Sequence, residues 1–383
     1  MAGSAHAYVR GSTVQFYRWL SARGPKSVPQ GPSIWICGDC HAGNLGPLAS
    51  ADGKIHVQIR DLDQTVIGNP NHDLIRLALS LASAARGSDL PGVTTARMLE
   101  EMIIGYRRAL RSSRAQNIIE SDKPECVKIV IRRAFSRTWK HLAKERIEDV
   151  KPKIPKGERF WPLAKLETKA IEELFGQESV RRLVTSLKSR PDEAIIEVLD
   201  AAYWMKGCSS LGRLRFAVLL RVRHGKSSDE LCLIDIKEAG ATAAPRARSA
   251  LMPKDHAKRV VEGAKHLSPA LGDRMMAATL LGRPVVLREL MPQDLKLDID
   301  RLSRREAVES ARYLAEVIGK AHGRQMDAAT RRDFSSTFQV RRASRLEAPS
   351  WLWSGVVELA SAHESAYLEH CRRYSIMTGT EKS

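Results

Sequence analysis

The chain has 383 residues, 43% of them apolar and only 5% aromatic, with 62 Lys and Arg against 44 Asp and Glu for a formal charge of +18. That length supports one large two-lobed unit or two to three domains with real cores. No apolar run approaches a membrane span, and residues 1–20 are broken by Arg10, Gln15 and Arg18, so neither a membrane partner nor a signal peptide is expected and a cytoplasmic location is the default.

In chain order, the apolar segments Ile34–Ile36 and Ile55–Ile59 flank a Gly-rich polar loop, which predicts strand, loop and strand with Ala51-Asp52-Gly53-Lys54 as the turn. From Asp73 to about Leu199 the pattern is helical: Leu74, Leu77, Ala78, Leu81, Ala82 and Ala85 share one face, and Met98, Met102, Ile103 and Tyr106 repeat the spacing. Pro152–Pro162 reads as a Pro- and Lys-rich break. Beyond Tyr203 the period shortens. Arg215–Val222 and Glu230–Ile236 form an expected hairpin around a polar loop, followed by a helix over Ala257–Leu267, a strand over Pro284–Leu290 and a helix over Arg304–His322. The expectation is an α+β protein with a helix-rich large lobe and a small antiparallel-sheet lobe. Its parts are 1–200 (a helical half with an insertion at about 110–200), 201–295 (the sheet lobe) and 296–383 (helices completing the large lobe).

Phosphoryl transfer asks a protein for a carboxylate to orient the acceptor, oxygen ligands for magnesium, cations for the phosphates and a backbone loop to cover them. Each part has a candidate. In Gly38-Asp39-Cys40-His41-Ala42-Gly43-Asn44, Asp39 and His41 are the catalytic candidates, Asp39 as the carboxylate and His41 as a hydrogen-bonding residue that stabilises the loop rather than a metal ligand, and Asn44 is a magnesium ligand. Asp61 follows as the main metal carboxylate with Asp63 assisting, hard oxygen donors of the kind magnesium prefers.

Downstream, Gly207, Ser209, Ser210 and Gly212 lie in a loop able to present backbone N–H groups to phosphate. Lys237 is the candidate phosphate-binding lysine. Glu262 on the next helix is its expected partner, with Glu238 as an alternative, and Leu287–Met291, including Glu289 and Met291, is the backbone hinge for adenine. The expected ligands are ATP and magnesium, with an unidentified small-molecule acceptor that the basic surface inclines toward an anion. The positive charges are spread along the chain without aromatic interleaving, which disfavours nucleic acid as the partner. Plainer readings exist: Asp39 and Asn44 as turn formers, Asp73 as a helix cap, Lys237 as an edge-strand charge. Cys37 and Cys40 form a Cys-x-x-Cys, but no second such pair completes a zinc site.

The run from Gly38 to Asn44, followed by Asp61 and Asp73, resembles the Gly-Asp-x-His-x-x-Asn catalytic loop and metal carboxylate of the aminoglycoside phosphotransferase and choline kinase group. The chain as a whole resembles a bacterial family catalogued as domain of unknown function 2252. The shared features are Arg10-Gly11, the Gly-Asp-x-His loop, the stretch Ser209–Gly212 and Lys237-Glu238-Ala239. The resemblance implies a protein-kinase-like two-lobed fold with the lobes in permuted order, and it implies that Asp73 holds the backbone of the catalytic loop. Three departures stand out: a longer interval from Asn44 to Asp61, Cys208 and Ser209 where glycine is expected, and Cys37 in place of a histidine. The rival readings are a nucleotide-binding pseudokinase, a kinase-like nucleotidyltransferase, and a non-catalytic basic module for nucleic acid or a partner.

Overall fold

A computed structural model describes residues 5–24, 27–111, 123–147, 153–187, 189–205, 212–224, 229–248, 250–297, 302–339 and 348–380. The chain opens with helices α1 (Ala5–Gly11) and α2 (Thr13–Arg23), then strand β1 (Ile34–Ile36), a 3-10 turn at Ala42–Asn44, and strands β2 (Leu45–Ala49), β3 (Ile55–Ile59) and β4 (Val66–Gly68). Helices α3 (Pro70–Gly87), α4 (Gly92–Arg111), α5 (Glu125–Phe135) and α6 (Trp139–Arg146) follow. Next come β5 (Phe160–Trp161), α7 (Lys165–Phe175), α8 (Glu178–Val184), β6 (Ile195–Trp204), β7 (Arg215–Arg223) and β8 (Glu230–Glu238). The chain continues through α9 (His256–Leu267), α10 (Pro269–Gly272), β9 (Met275–Leu280), β10 (Arg283–Leu290), α11 (Arg304–Gly323), α12 (Ala328–Ser336) and α13 (Ser350–Thr380). The protein is α+β.

The helical core is built on α3, which starts behind an Asn69 cap with Pro70 in its first turn and buries Leu74, Ile75, Leu77, Ala78, Leu79 and Leu81 around its circumference. Helix α4 packs along α11 at close range. A Cβ on Gly105 would stand 2.1 Å from the Arg312 carbonyl, so only glycine allows that approach.

Among the described residues, one sheet has six antiparallel strands in the order β5-β6-β7-β8-β10-β9. Its two faces follow from strand alternation. Phe216, Val218, Leu220, Ile234, Ile236, Val285 and Leu287 bury one face against Ile171, Leu174, Val180 and Leu183 of α7 and α8. On the other face Ala217, Leu219 and Leu233 pack with Leu142 and Ala143 of α6. Along that second face the sequence turns polar: Arg215 stands opposite Lys237, and Arg288 opposite Asp235. This change of character marks one wall of the cleft described below.

Several expectations are revised. The sheet lobe begins before residue 201, because β5, α7, α8 and the first part of β6 belong to it; Ile195, Ile196 and Val198 are β-branched and pair with β7 rather than ending a helix. The later part of the expected insertion therefore packs on the sheet. The expected strands β1 and β3 are both present, and each pairs with a strand that was not expected. Val66–Gly68 supplies the partner of β1, and Leu45–Ala49, with its internal proline, supplies the partner of β3. Both missed strands are too short or too irregular to show a period of two.

Candidate functional site

Three side chains from two distant parts of the chain meet in a cleft of about 280 Å³ between the sheet and the β2–β4 region. The Lys237 ammonium, on β8, is ion-paired with Asp63 and lies 3.7 Å from the Asp61 carboxylate. The protein around the cleft opposes the charge on all three groups, although the Asp61 side chain keeps 60% of its surface open to solvent. At Lys237 the two carboxylates outweigh it and raise the ammonium above its usual range. At Asp61 the lysine and the Asp63 N–H outweigh it and hold the carboxyl well below the usual range, whereas Asp63 stays raised by enclosure and by the Asp61 charge.

Local hydrogen bonds build this arrangement. Asn44 grips the backbone of Asp61 from both sides: its oxygen accepts from Asp61 N at 2.8 Å and its amide donates to Asp61 O at 2.8 Å and to Asp39 O at 3.3 Å. Asp63 N donates to Asp61 Oδ1 at 3.2 Å. From α9, the buried Arg259 donates to the carbonyls of Asp63 and Gly240, each at 3.0 Å, and to that of Thr65. This guanidinium ties the carboxylate loop to the sheet lobe.

The loop of residues 37–44 rests on a buried polar chain. Asp73, with no exposed surface, accepts from Cys37 N at 2.7 Å and Gly38 N at 2.9 Å, and His322 Nε2 stands 3.2 Å from the same carboxylate. Tyr106 Oη lies 2.8 Å from His322 Nδ1. With Nε2 protonated and the phenol donating to Nδ1, every member is satisfied. Gly38 has φ +75°, and a Cβ there would stand 2.2 Å from the Gln64 carbonyl. Nothing but glycine fits.

The remaining expected residues are distributed as follows. Asp39 lies beside the cleft rather than on its wall, and its carboxylate is bonded at 3.0 Å to Arg76, a fully buried guanidinium that also donates to Val9 O. Burial raises the Asp39 carboxyl and Arg76 opposes the shift. His41 and Asn44 line the cleft. Through its oxygen and its amide, Asn44 bridges the backbones of Asp39 and Asp61. Glu262 does not pair with Lys237; its partners are Lys265 and His266 one turn along the same helix. Glu238 pairs with Arg283 and accepts from Leu214 N.

At the expected hinge, Glu289 is buried in a two-point ion pair with Arg190 at 2.8 Å, and Glu289 and Met291 border a different cavity beside Trp139 and Cys232. Leu290 between them reaches the cleft, as alternation in β10 requires. Gly207, Ser209 and Ser210 lie outside the described residues. Gly212, in left-handed backbone at φ +73°, borders a surface hollow with Trp161 and Tyr203. Cys37 and Cys40 are buried, and burial pushes both thiols up, against thiolate chemistry.

Sequence reasoning missed Arg76, Arg215 and Arg259, because an isolated arginine in a chain this basic carries no distinguishing spacing. Arg215 holds Asp235 through bonds of 2.6 and 3.1 Å, with Lys237 opposite it in register. Among the described residues no group of three His, Cys, Asp or Glu stands together as a metal site, and no helix is long and apolar enough to cross a membrane.

The fold and the cleft thus define an α+β protein in which a lysine from a six-stranded sheet meets two carboxylates delivered by the loop after β3. Residues 1–373 match the family described as "uncharacterized protein conserved in bacteria (DUF2252)", and the chain belongs to that family. No curated protein and no solved structure matches it.

Proposed function

We propose that the protein is an ATP- and magnesium-dependent phosphotransferase of kinase-like, permuted layout, acting on a hydroxyl of a small molecule. The observation that carries this reading is the meeting of Lys237 with Asp61 and Asp63. A cation already sits between those carboxylates, so the pair is a fitting seat for another. Two carboxylates with phosphate oxygens are a donor set magnesium accepts. When bound, the metal neutralises charge on the phosphates. Lys237, released toward the phosphates, adds a second positive charge.

The order of elements supports the same reading. Lys237 is on the third long strand, and α9 follows it to brace the site through Arg259 instead of a glutamate. Asp39 is the proposed acceptor-orienting carboxylate, and to reach a hydroxyl it must turn from Arg76. That ion pair is also the specific observation favouring a second reading, a nucleotide-binding protein of the same layout without turnover.

The test is thermal denaturation with ATP, magnesium and both together, followed by phosphate release or transfer. Joint stabilisation that Asp61→Asn abolishes supports nucleotide binding. Turnover lost in Asp39→Asn with that stabilisation intact selects the enzyme over the inactive binder, and no MgATP-dependent shift in the unmodified protein overturns both.

A further inference from the structure

A second set of cations lines the same cleft: Arg10, Arg60, Arg146, Arg288 and Lys296. Little opposes them. Asp294, buried beneath this wall, is bonded through both oxygens to Arg274 at 3.0 and 3.2 Å before Arg288 reaches it at 3.1 Å. The carboxylate of Glu145 is shared between Arg137 and Arg146. Arg60 reaches only the carbonyl of Asp294, at 3.5 Å. Among the described residues neither Arg10 nor Lys296 has an ion-pair partner, and Arg10 lies over Gly43, 3.2 Å from where a Cβ would be.

Donors are left over as well as charge. The Nε–H groups of Arg60, Arg146 and Arg288 are buried without acceptors, and Arg60 is 9% exposed. Unpaired buried donors and crowded like charges each cost stability, so an arrangement that keeps both implies a ligand that relieves them. Enclosure, together with the nearby Arg10, Arg60 and Arg146 charges, also lowers the Lys296 ammonium. Guanidinium forks fit planar carboxylate and tetrahedral phosphate oxygens in particular.

We propose that this cationic wall is an anion-binding subsite, separate from the Lys237–Asp61–Asp63 centre, that receives a phosphate or carboxylate group carried by the acceptor. Naming the occupant as the acceptor rests on the phosphotransferase reading; the existence of the subsite does not. The carboxylates beside Lys237 repel a free anion, whereas among the described residues Asp294 and Glu145, the carboxylates at this wall, are already ion-paired. A nucleotide phosphate is the other source of the same chemistry, and competition separates the two.

The experiment titrates inorganic phosphate into the full chain at ionic strength balanced with chloride, read by calorimetry and by thermal shift. The variant Arg10→Gln/Lys296→Ala removes two side chains that have no ion-pair partner among the described residues, so it is expected to leave folding intact. It is expected to weaken phosphate binding at least tenfold, while the charge-matched Lys165→Ala/Arg304→Gln on exposed helix surfaces leaves it unchanged. No phosphate binding, equal binding by the Arg10→Gln/Lys296→Ala variant, or displacement of phosphate by MgATP overturns the proposal. Phosphate binding that persists in a protein showing no response to MgATP keeps the subsite and removes the phosphotransferase reading.

Discussion

Lys237 and Asp63 are 174 residues apart in the chain and form an ion pair across the cleft, with Asp61 3.7 Å from the same ammonium. The Asp61 side chain is 60% exposed and that of Lys237 22%, so the pairing is open to a ligand on one side. Partly solvated ion pairs contribute at most about 1 kcal/mol. Lys237→Met is accordingly expected to change stability by no more than about that amount, while abolishing MgATP-dependent thermal stabilisation. Melting curves with and without MgATP check both halves; retention of the full shift counts against the site.

Asp73 has a different standing, since it is wholly buried and serves two backbone N–H groups and His322. Asp73→Asn turns one acceptor into a donor facing donors. A loss of about 2–3 kcal/mol is expected, the range for charge-assisted hydrogen bonds made in the interior. Urea denaturation measures it, and an unchanged midpoint contradicts the assigned role.

Gly38→Ala places a methyl within 2.2 Å of the Gln64 carbonyl at a backbone angle that L-residues avoid. The loop must move or the protein destabilise. A cost of at least about 1 kcal/mol is expected, together with weaker nucleotide response because Asp39 and Asn44 shift with the loop. Gly53→Ala, at a similar φ with open space around it, is the control and is expected to pay only the backbone strain.

The Glu289 side chain is buried against Arg190, so it has a structural role of its own. Glu289→Ala removes the two-point partner of the buried Arg190, leaves it Glu230 and the Val184 carbonyl, and is expected to cost about 2–3 kcal/mol, the upper range for hydrogen bonds to a charged group. Replacement of both partners by apolar residues of similar size should recover much of that loss. A double-mutant cycle in urea measures the coupling.

His363 on α13 is 2% exposed, and burial lowers its imidazole to about 4 from 6.5; His72 at the start of α3 is lowered to about 4 by the same cause. Between those values the unfolded chain binds more protons than the folded one, so stability rises with pH across that window and is lost as pH falls from about 6.5 toward 4. For His363 alone the full effect is about 3 kcal/mol. His363→Gln is expected to flatten the pH dependence of the urea midpoint between pH 4 and 6.5.

Periodic segments were legible from residues alone. The runs in α3, α4, α9 and α11 carry apolar positions at helical spacing, and β7, β8 and β10 alternate or stay apolar over eight or nine residues. Short strands escaped notice, because three residues in β4 cannot display a period and Pro47 interrupts β2. At the site, Asp61, Asp63 and Lys237 were identifiable because few chemistries ask for carboxylates and a lysine in apolar-flanked settings. The partners of those groups were not identifiable.

The sequence by itself determined the α+β class, the main helices and long strands, and a short set of acidic, amide and lysine candidates, since these depend on local spacing and residue chemistry. Only the tertiary structure decided that Lys237 answers to Asp61 and Asp63 rather than to a glutamate, that Asn44 spends its oxygen on a backbone N–H, and that Arg76 holds Asp39. The physical reason is that charge pairing and hydrogen bonding act over a few ångströms of space. A chain with 62 basic residues offers too many possible partners for sequence distance to choose among them.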